Sequence, residues 1–456
     1  MLRTSLSGGV LLAACSLPAF AGVPTAILQN SGVGDNSFVD NSALQSLQFD
    51  RFDRPVKSGN GTYWIMLARN TSGSSSEVMY ITGSGTTYNL VAQEGFTEFE
   101  PGRTFDTLDR YVDINESGDW VGIGNLVGGP TNDDEVVYAG NFTGTSLSLP
   151  LREGQVVGTG DTLGSSNFGP SISDAGAVSA GFSTTTTTSI AYFTNNGNTV
   201  VLRNGDSVVG SATPFSTLNF GGRNAFQTTP DGNSYVVRGT LGASNGPQVL
   251  IKDGVIVLQQ GDAYAGSTID SILGEQNILE ANGDWLTRAR LADGRGVAIK
   301  NGVAIAASGD LVGGSVAGET WSEVPWTASS DTTFFIVTGD SAGNVVLGGF
   351  TDNPTAKQNF VWTYNGSEFL RAGDQIDLDG DGTLDDAFII FEDTFSASPD
   401  MLGGFLADDG FFYSNIVWSN AAGDTEGNAF IRVAVPEPTS ALALAGVALA
   451  GLRRRR

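Results

Sequence analysis

The sequence of 456 residues contains no histidine and only one cysteine, Cys15. Without histidine the chain cannot form a Ser-His-Asp or Cys-His nucleophile system, and it lacks the commonest ligand of transition metals. A single cysteine excludes an internal disulfide and a cysteine metal site. Any catalysis would therefore depend on carboxylates, tyrosine, lysine, arginine or hydroxyl groups, and stability must come from packing.

Basic residues are also scarce. The chain has 23 Lys and Arg against 49 Asp and Glu, a formal net charge of −26. Such a surface repels phosphate backbones and anionic lipids and attracts cations. We therefore expect no nucleic-acid partner. Glycine is abundant, with 62 residues, and only 16% of residues are charged, a composition that favours a β-rich extracellular protein over a helical one.

The longest apolar stretch near the C-terminus, from Ala441 to Leu452, has 12 residues, whereas a helix that spans a bilayer needs about 20. Pro436, Glu437 and Pro438 precede it and four arginines, 453–456, follow it. This order resembles the PEP-CTERM sorting signal. The resemblance implies that residues 435–456 are a sorting tail, recognised at Pro436–Pro438 and removed during export by an exosortase-type membrane protease. It also implies membrane contact only through this tail before processing.

The N-terminal sequence also has the features of an exported protein. Arg3 precedes a short apolar segment, and Ala19-Phe20-Ala21 forms a small-x-small cleavage site, which predicts a signal peptide over residues 1–21 cleaved after Ala21. A competing interpretation is a lipobox that ends at Cys15, which would leave a lipidated N-terminus. Both routes lead out of the cytoplasm. Loss of Arg3 and of the four C-terminal arginines would bring the net charge to about −31, with Glu437 left aside.

Between these two segments the sequence repeats a polar turn that ends in glycine and is followed by alternating apolar residues. The seven turn glycines are 51 to 67 residues apart: Gly61, Gly118, Gly176, Gly232, Gly283, Gly343 and Gly410. A second, interleaved element carries Gly-Asp or a related pair, at Gly95, Gly154, Gly205, Gly261, Gly309 and Gly373. Glycine supplies the positive φ of a tight turn, and the period-2 runs predict strands with one buried face.

A period near 50 with about four strands per unit is typical of a β-propeller blade. We predict an all-β fold, a propeller of about seven four-stranded blades over residues 55–434, preceded by an N-terminal segment at 22–54. The pattern also resembles the tandem NxxGxxAF repeat of exported bacterial proteins, although only Asn115 supplies its leading asparagine.

The Gly-Asp pairs have two interpretations. Aspartate beside a turn glycine usually caps its own backbone, which is the favoured one. The alternative is a ring of carboxylates at one mouth of a central channel, formed by Asp206, Asp262, Asp310 and Asp374. The loops after the first strand of each unit vary most in length, as binding loops often do, and neutral drift of the surface is the equally favoured alternative.

The sharpest chemical motif is DLDGDGTLDD, residues 377–386. Calcium prefers six to eight oxygen ligands, and aspartates that alternate around a glycine turn supply them. Asp377, Asp379 and Asp381 match positions 1, 3 and 5 of an EF-hand-type loop, Thr383 would offer its carbonyl, and Asp385 matches position 9. Phe388 replaces the usual bidentate glutamate at position 12, and strands flank the loop, so Asp386 or a water would complete the shell. We predict a structural calcium loop, and the alternative is an acidic surface turn that binds no ion.

The leading functional hypothesis is an exported, non-enzymatic protein of the cell surface or extracellular matrix of a Gram-negative-type bacterium. It would bind polysaccharide or surface proteins through propeller loops, and exopolysaccharide is the partner that the sorting tail implies. Trp321, Trp326 and Trp362 are candidates to stack on sugars, although core packing between blades is the commoner role of a propeller tryptophan. A second hypothesis is a glycosidase or polysaccharide lyase with paired carboxylates in the channel, and a third is a surface-layer component.

Overall fold

The computed structural model describes residues 22–30, 38–39, 47–70, 78–144, 146–185, 189–216, 226–315, 318–323, 333–355, 358–390, 403–423 and 425–436. These residues form 34 strands in seven separate antiparallel sheets, and they contain no α-helix. The expected signal peptide with Ala21 and Cys15, the residues Trp326, Glu437 and Pro438, and the apolar tail lie outside the described residues.

The seven sheets follow one another along the chain as blades. Blade 1 contains Phe38–Val39, Leu47–Phe52, Val56–Lys57, Trp64–Asn70, Val78–Ser84 and Thr87–Gln93. Blade 2 contains Glu98–Glu100, Arg103–Ile114, Trp120–Val127, Glu135–Gly140 and Leu147–Arg152. Blade 3 contains Leu163–Ile172, Val178–Thr184, Ser189–Thr194 and Thr199–Arg203. Blade 4 contains Phe215–Ser216, Phe226–Thr228, Tyr235–Leu241, Gln248–Lys252 and Val255–Gln259.

The remaining three blades complete the set. Blade 5 contains Ala263–Tyr264, Ser267–Leu279, Trp285–Leu291, Gly296–Lys300 and Val303–Ala307. Blade 6 contains Phe334–Gly339, Val345–Phe350, Phe360–Tyr364 and Ser367–Arg371. Blade 7 contains Phe388–Ile390, Gly404–Leu406, Phe411–Ser419 and Thr425–Ala434, together with the N-terminal strand Thr25–Gln29.

One strand of each blade lies at the centre of the molecule and contacts the central strand of the next blade, and Gly404–Leu406 of blade 7 returns to Val56–Lys57 of blade 1, so the contacts form a closed circle. The seven central strands are Val56–Lys57, Arg103–Ile114, Leu163–Ile172, Phe226–Thr228, Ser267–Leu279, Phe334–Gly339 and Gly404–Leu406. The structure is therefore a seven-bladed β-propeller, as the repeat predicted. Within a blade we name the four main strands a to d from the centre outward.

The seven predicted glycine turns connect strands a and b. In each turn the glycine N–H donates to the carbonyl three residues earlier, as Gly118 does to Asn115 and Gly176 to Ser173. The φ angles of these seven glycines lie between 71° and 87°, a conformation that glycine adopts without strain. These turns lie on the same side of the ring as the c–d turns, and we call this side the turn face. The b–c loops and d–a connections lie on the opposite side, which we call the loop face.

The ring is closed by the N-terminal strand. Thr25–Gln29 is the outermost strand of blade 7 and pairs antiparallel with Thr425–Ala434, with Thr25 opposite Arg432 and Gln29 opposite Ala429. Leu47–Phe52 likewise belongs to blade 1, where it pairs with Trp64–Asn70. The propeller therefore begins before residue 55, because residues 22–54 supply strands to two blades instead of forming a separate segment.

The apolar core lies between neighbouring blades. Trp120 of blade 2 packs edge-on against Tyr80 of blade 1 with a centroid separation of 5.9 Å, and Trp64 of blade 1 packs against Phe430 of blade 7 at 4.9 Å. Trp321 and Trp362 are 3% and 0% exposed, so of the two interpretations core packing is confirmed for both and sugar stacking is excluded. They fill spaces between aromatic neighbours, Phe334 for Trp321 and Phe360 for Trp362.

Alanine at two of the turn glycines separates conformational strain from steric overlap. Gly176→Ala meets nothing within 4 Å, so only its φ of 78° opposes the change, and we expect a loss of about 1 kcal/mol in unfolding free energy. Gly61→Ala would also overlap the Cβ of Ala407 across the junction of blades 1 and 7, so its loss should be larger. Denaturant unfolding measures both, and Gly176→Asn should cost less than Gly176→Ala. Equal losses at the two positions would contradict this packing.

Candidate metal site and central cavity

The aspartate-rich loop lies in the connection between blades 6 and 7. It follows Ser367–Arg371 and precedes Phe388–Ile390. Its first residue, Asp377, is hydrogen-bonded to the closing strand on both sides: its N–H donates to Pro24 at 2.9 Å and its carbonyl accepts from Ala26 at 2.8 Å. The loop is thus attached to the strand that closes the ring.

The same backbone pairing occurs at other junctions. Val209, in the connection from blade 3 to blade 4, makes a parallel bridge to Val255 on the outer strand of blade 4. Gly313 does the same to Ser367 of blade 6, and Asp377 to Thr25 of blade 7. In blades 4 and 6 the outer strand that forms the bridge is joined to its own sheet by a short turn. In blade 7 the outer strand is Thr25–Gln29, which comes from the other end of the chain.

Three carboxylates of the loop converge. Asp377, Asp379 and Asp385 each offer an oxygen, and the three oxygens lie within 4.8 Å of one another. Asp377 is 1% exposed and accepts hydrogen bonds from the N–H groups of Gly380 (2.8 Å) and Gly382 (3.0 Å). Three acidic oxygens around one point form a donor set that suits a hard cation, so this cluster could hold a metal ion.

The other predicted ligands are less closely grouped. The Asp381 carboxylate accepts from the N–H of Thr383 at 2.7 Å, and Asp386 accepts from Ala421 at 3.1 Å in the turn between the last two strands of blade 7. Of the five predicted aspartates the structure therefore brings three together. The Thr383 carbonyl remains a predicted ligand.

The Gly-Asp pairs are capped turns on the loop face. The side chains of Asp206, Asp262, Asp310 and Asp374 each accept from the backbone N–H three residues earlier, at 2.7 to 2.8 Å. They follow the outermost strands of their blades, away from the central strands. This confirms the capping interpretation, and a carboxylate ring at the channel mouth is excluded for these four residues.

A central cavity of about 110 Å³ is lined by the innermost strands of all seven blades. Lys57 of blade 1 lies in its wall and donates to Glu280 of blade 5 at 2.7 Å and to the carbonyls of Gly339 and Leu406 at 2.6 and 2.9 Å. Glu280, 2% exposed, also accepts from the Gly339 N–H at 2.9 Å. Burial raises the pKa of Glu280, and the Lys57 ammonium opposes this shift. One lysine thus connects four blades.

Further polar side chains in the cavity wall connect blade 2 to 3, blade 3 to 4, blade 4 to 5 and blade 6 to 7. Asp113 of blade 2 accepts from Ile172 and Ser171 of blade 3, at 2.9 and 2.8 Å. Ser171 in turn lies 2.9 Å from the Thr228 hydroxyl of blade 4. Gln227 accepts from Leu279 of blade 5 at 3.2 Å, and Thr338 of blade 6 accepts from Leu406 of blade 7 at 3.4 Å. We call this set, with Lys57 and Glu280, the polar belt.

The polar belt could not be identified from the sequence, because its members share no residue type and their partners are more than 50 positions away. Their one common signal is position, three to five residues before a turn glycine. Burial raises the pKa of Asp113 from 3.8 to about 6, and its hydrogen bonds to Ile172 and Ser171 offset only part of that shift.

The raised pKa of Asp113 predicts a dependence of stability on pH. Because the folded protein holds this proton more tightly than the unfolded chain, the contribution is full below about pH 4 and is lost as the pH rises through about 6. Asp113→Asn should reduce the fall in unfolding free energy between pH 4 and 6.5 by up to about 3 kcal/mol. Urea unfolding at several pH values across this range measures the change in unfolding free energy, and Asp206→Asn is a control outside the cavity. A variant with the wild-type pH profile would contradict the assignment.

Comparison with known proteins identifies one family motif. Residues 434–456 match the PEP-CTERM protein-sorting motif. The motif marks proteins for export to the envelope of Gram-negative-type bacteria, so the chain is an exported protein with a signal that exosortase recognises. No curated protein sequence matches the chain. In the described residues no helix is long and apolar enough to cross a membrane.

Solved structures match the chain only at low identity and with low TM-scores. A sialidase from Trypanosoma rangeli, in complex with the inhibitor DANA, has 10% identity and a TM-score of 0.34, with 94% of this chain and 62% of the sialidase covered. A protein of unknown function from Dyadobacter fermentans has 10% identity and a TM-score of 0.32, with 92% and 100% covered. Oligogalacturonate lyase from Vibrio parahaemolyticus has 9% identity and a TM-score of 0.30, with 55% and 67% covered. The chain thus spans about three fifths of the sialidase, and these similarities carry no functional assignment.

Proposed function

We propose that the protein is a non-enzymatic binding protein of the cell surface or extracellular matrix, and that its loop face recognises polysaccharide or protein. The observation that carries this proposal is the uneven distribution of exposed apolar side chains. Among the described residues ten large apolar side chains are exposed, and six of them lie on the loop face: Phe96, Val127, Val156, Val209, Leu311 and Leu384. Exposed apolar side chains gathered on one face are typical of interaction surfaces.

The hydrogen bonding of the carboxylates in the cavity wall favours a binding function over the alternative of a glycosidase or lyase. That chemistry needs two carboxylates, one that can donate a proton and one that can attack or activate water. The two acids in the cavity wall, Asp113 and Glu280, are both bonded to neighbouring blades, Glu280 by a lysine. Using either group on a substrate would break contacts that connect the blades.

Binding to the loop face can be tested with the mature protein. The triple variant Val156→Ser/Val209→Ser/Leu311→Ser removes exposed apolar groups at three junctions, and we expect at least a tenfold loss of affinity, about 1.4 kcal/mol. The probes are the exopolysaccharide fraction of the host and, separately, its surface-protein extract. Val303→Ser is the matched control, since Val303 is 63% exposed but lies on the outer strand of blade 5.

Two results would contradict the proposal. Equal affinity of the triple variant and the control for every probe would remove the loop face as the binding surface. Release of new reducing ends or unsaturated sugars from the polysaccharide by the wild-type protein would favour the enzymatic alternative.

We further propose that calcium is the ion held by Asp377, Asp379 and Asp385, with a structural role. All three ligands are carboxylates, and calcium is abundant outside cells, where sites with dissociation constants of about 10⁻⁴ to 10⁻³ M are filled. The loop connects blade 6, blade 7 and the closing strand, so an ion there would neutralise the acidic cluster and hold this junction.

Calcium should therefore raise the stability of the folded protein. At 10 mM calcium, about ten to a hundred times such a dissociation constant, the gain in unfolding free energy is about 1.4 to 2.7 kcal/mol. Asp379→Asn and Asp385→Asn should lose this gain. Asp386→Asn should keep the calcium-dependent gain, because that carboxylate accepts a hydrogen bond from the N–H of Ala421 and lies outside the cluster of three. Thermal unfolding with calcium, with magnesium and with a chelator measures the effect, and a calcium response that survives in Asp385→Asn would refute the site.

A further inference from the structure

The described residues next to the two expected processing sites lie side by side in the fold. The N–H of Gly22, the residue after the expected cleavage at Ala21, donates to the carbonyl of Ala434 at 3.2 Å. Ala434 ends the last strand, and Val435 donates to Gly410 in the a–b turn of blade 7 at 2.9 Å. Both ends of the propeller therefore leave the ring at one point on the turn face.

The short distance from this point to the apolar tail restricts the orientation of the ring. Only five steps separate Pro436 from Ala441, a reach of about 17 Å when fully extended. Four strands at a spacing of about 4.8 Å make each blade roughly 15 Å wide, so the ring is more than 30 Å across. Because the tail leaves the ring on the turn face, a linker of this length is too short to let the loop face lie against the membrane instead.

The charge of the turn face indicates what happens after processing. Its exposed acids are Glu116, Asp174, Asp231, Asp253, Asp408 and Asp409. Carboxylates at this density are repelled by anionic lipids. The tail must therefore hold the protein against a repulsive surface. After its removal, the charged side chains of this face that are exposed rather than half-buried are all acidic among the described residues.

We propose that the turn face lies against the membrane while the tail is attached, that the loop face points away from it, and that removal of the tail releases the protein. This proposal rests on the proposed membrane contact of the tail. The partner of the turn face is thus a lipid surface, held at short range by the tail alone. The loop face, with its exposed apolar residues, is free to bind a partner before and after release.

Single cysteines test the orientation, because the only native cysteine precedes the expected cleavage site. Two matched pairs of exposed residues are available: Ser117→Cys on the turn face with Ser207→Cys on the loop face, and Ala175→Cys with Ala263→Cys. Each is labelled with a fluorophore in a chain that keeps its tail through Pro436→Ala and Glu437→Gln. The chains are then reconstituted in phosphatidylethanolamine and phosphatidylglycerol vesicles that carry a nitroxide headgroup lipid.

We expect the labels at 117 and 175 to be quenched at least threefold more than those at 207 and 263. A chain that ends at Pro436 should stay in the supernatant when the vesicles are sedimented. Co-sedimentation of the tailed chain with equal or reversed quenching would overturn the orientation alone. Failure of the tailed chain to co-sediment would refute the membrane role of the tail and the orientation with it. Co-sedimentation of the tail-free chain would overturn the release mechanism.

Discussion

The pairing of Thr25–Gln29 with Thr425–Ala434 is the contact on which the ring depends. It is the one place in the propeller where the circle of blades is completed by hydrogen bonds between the two ends of the chain instead of by a covalent connection. Ile27 and Leu28, 3% and 0% exposed, add apolar burial of about 1.5 to 3 kcal/mol each. Without this strand, blade 7 would lose its outer edge and the aspartate-rich loop would lose its backbone partners.

Two other sets of contacts reinforce the ring at different radii. The polar belt acts at the centre, where Lys57 connects blades 1, 5, 6 and 7 and Asp113 connects blades 2 and 3. Buried charges are costly unless they are paired, and here each has partners on another blade. At the rim, the parallel bridges of Val209, Gly313 and Asp377 attach each connection to the next outer strand. The acidic loop is therefore one modified copy of a repeated junction, placed where covalent support is missing.

The features that could be predicted from the sequence are the local and repeated ones, the glycine turns and the strands that follow them. Seven turn glycines and the period-2 runs were sufficient for the blade count, because a tight turn and a half-buried strand are determined by neighbouring residues. The boundary at residue 55 was misplaced, since TAILQ at 25–29 carries no turn glycine and its partner is about 400 positions away. The polar belt was missed for the same reason. Of 49 acidic residues, only the ring geometry distinguishes Asp113 and Glu280 from surface carboxylates.

Native-state hydrogen exchange of the mature protein tests the central claim most directly. If strand 25–29 closes the ring, its amides and those of 425–434 should exchange through the same opening, with equal free energies that approach the global value. Exchange of residues 26–29 through a separate, lower-energy opening, while residues 427–433 stay protected, would contradict the account. The ring would then persist without its N-terminal strand.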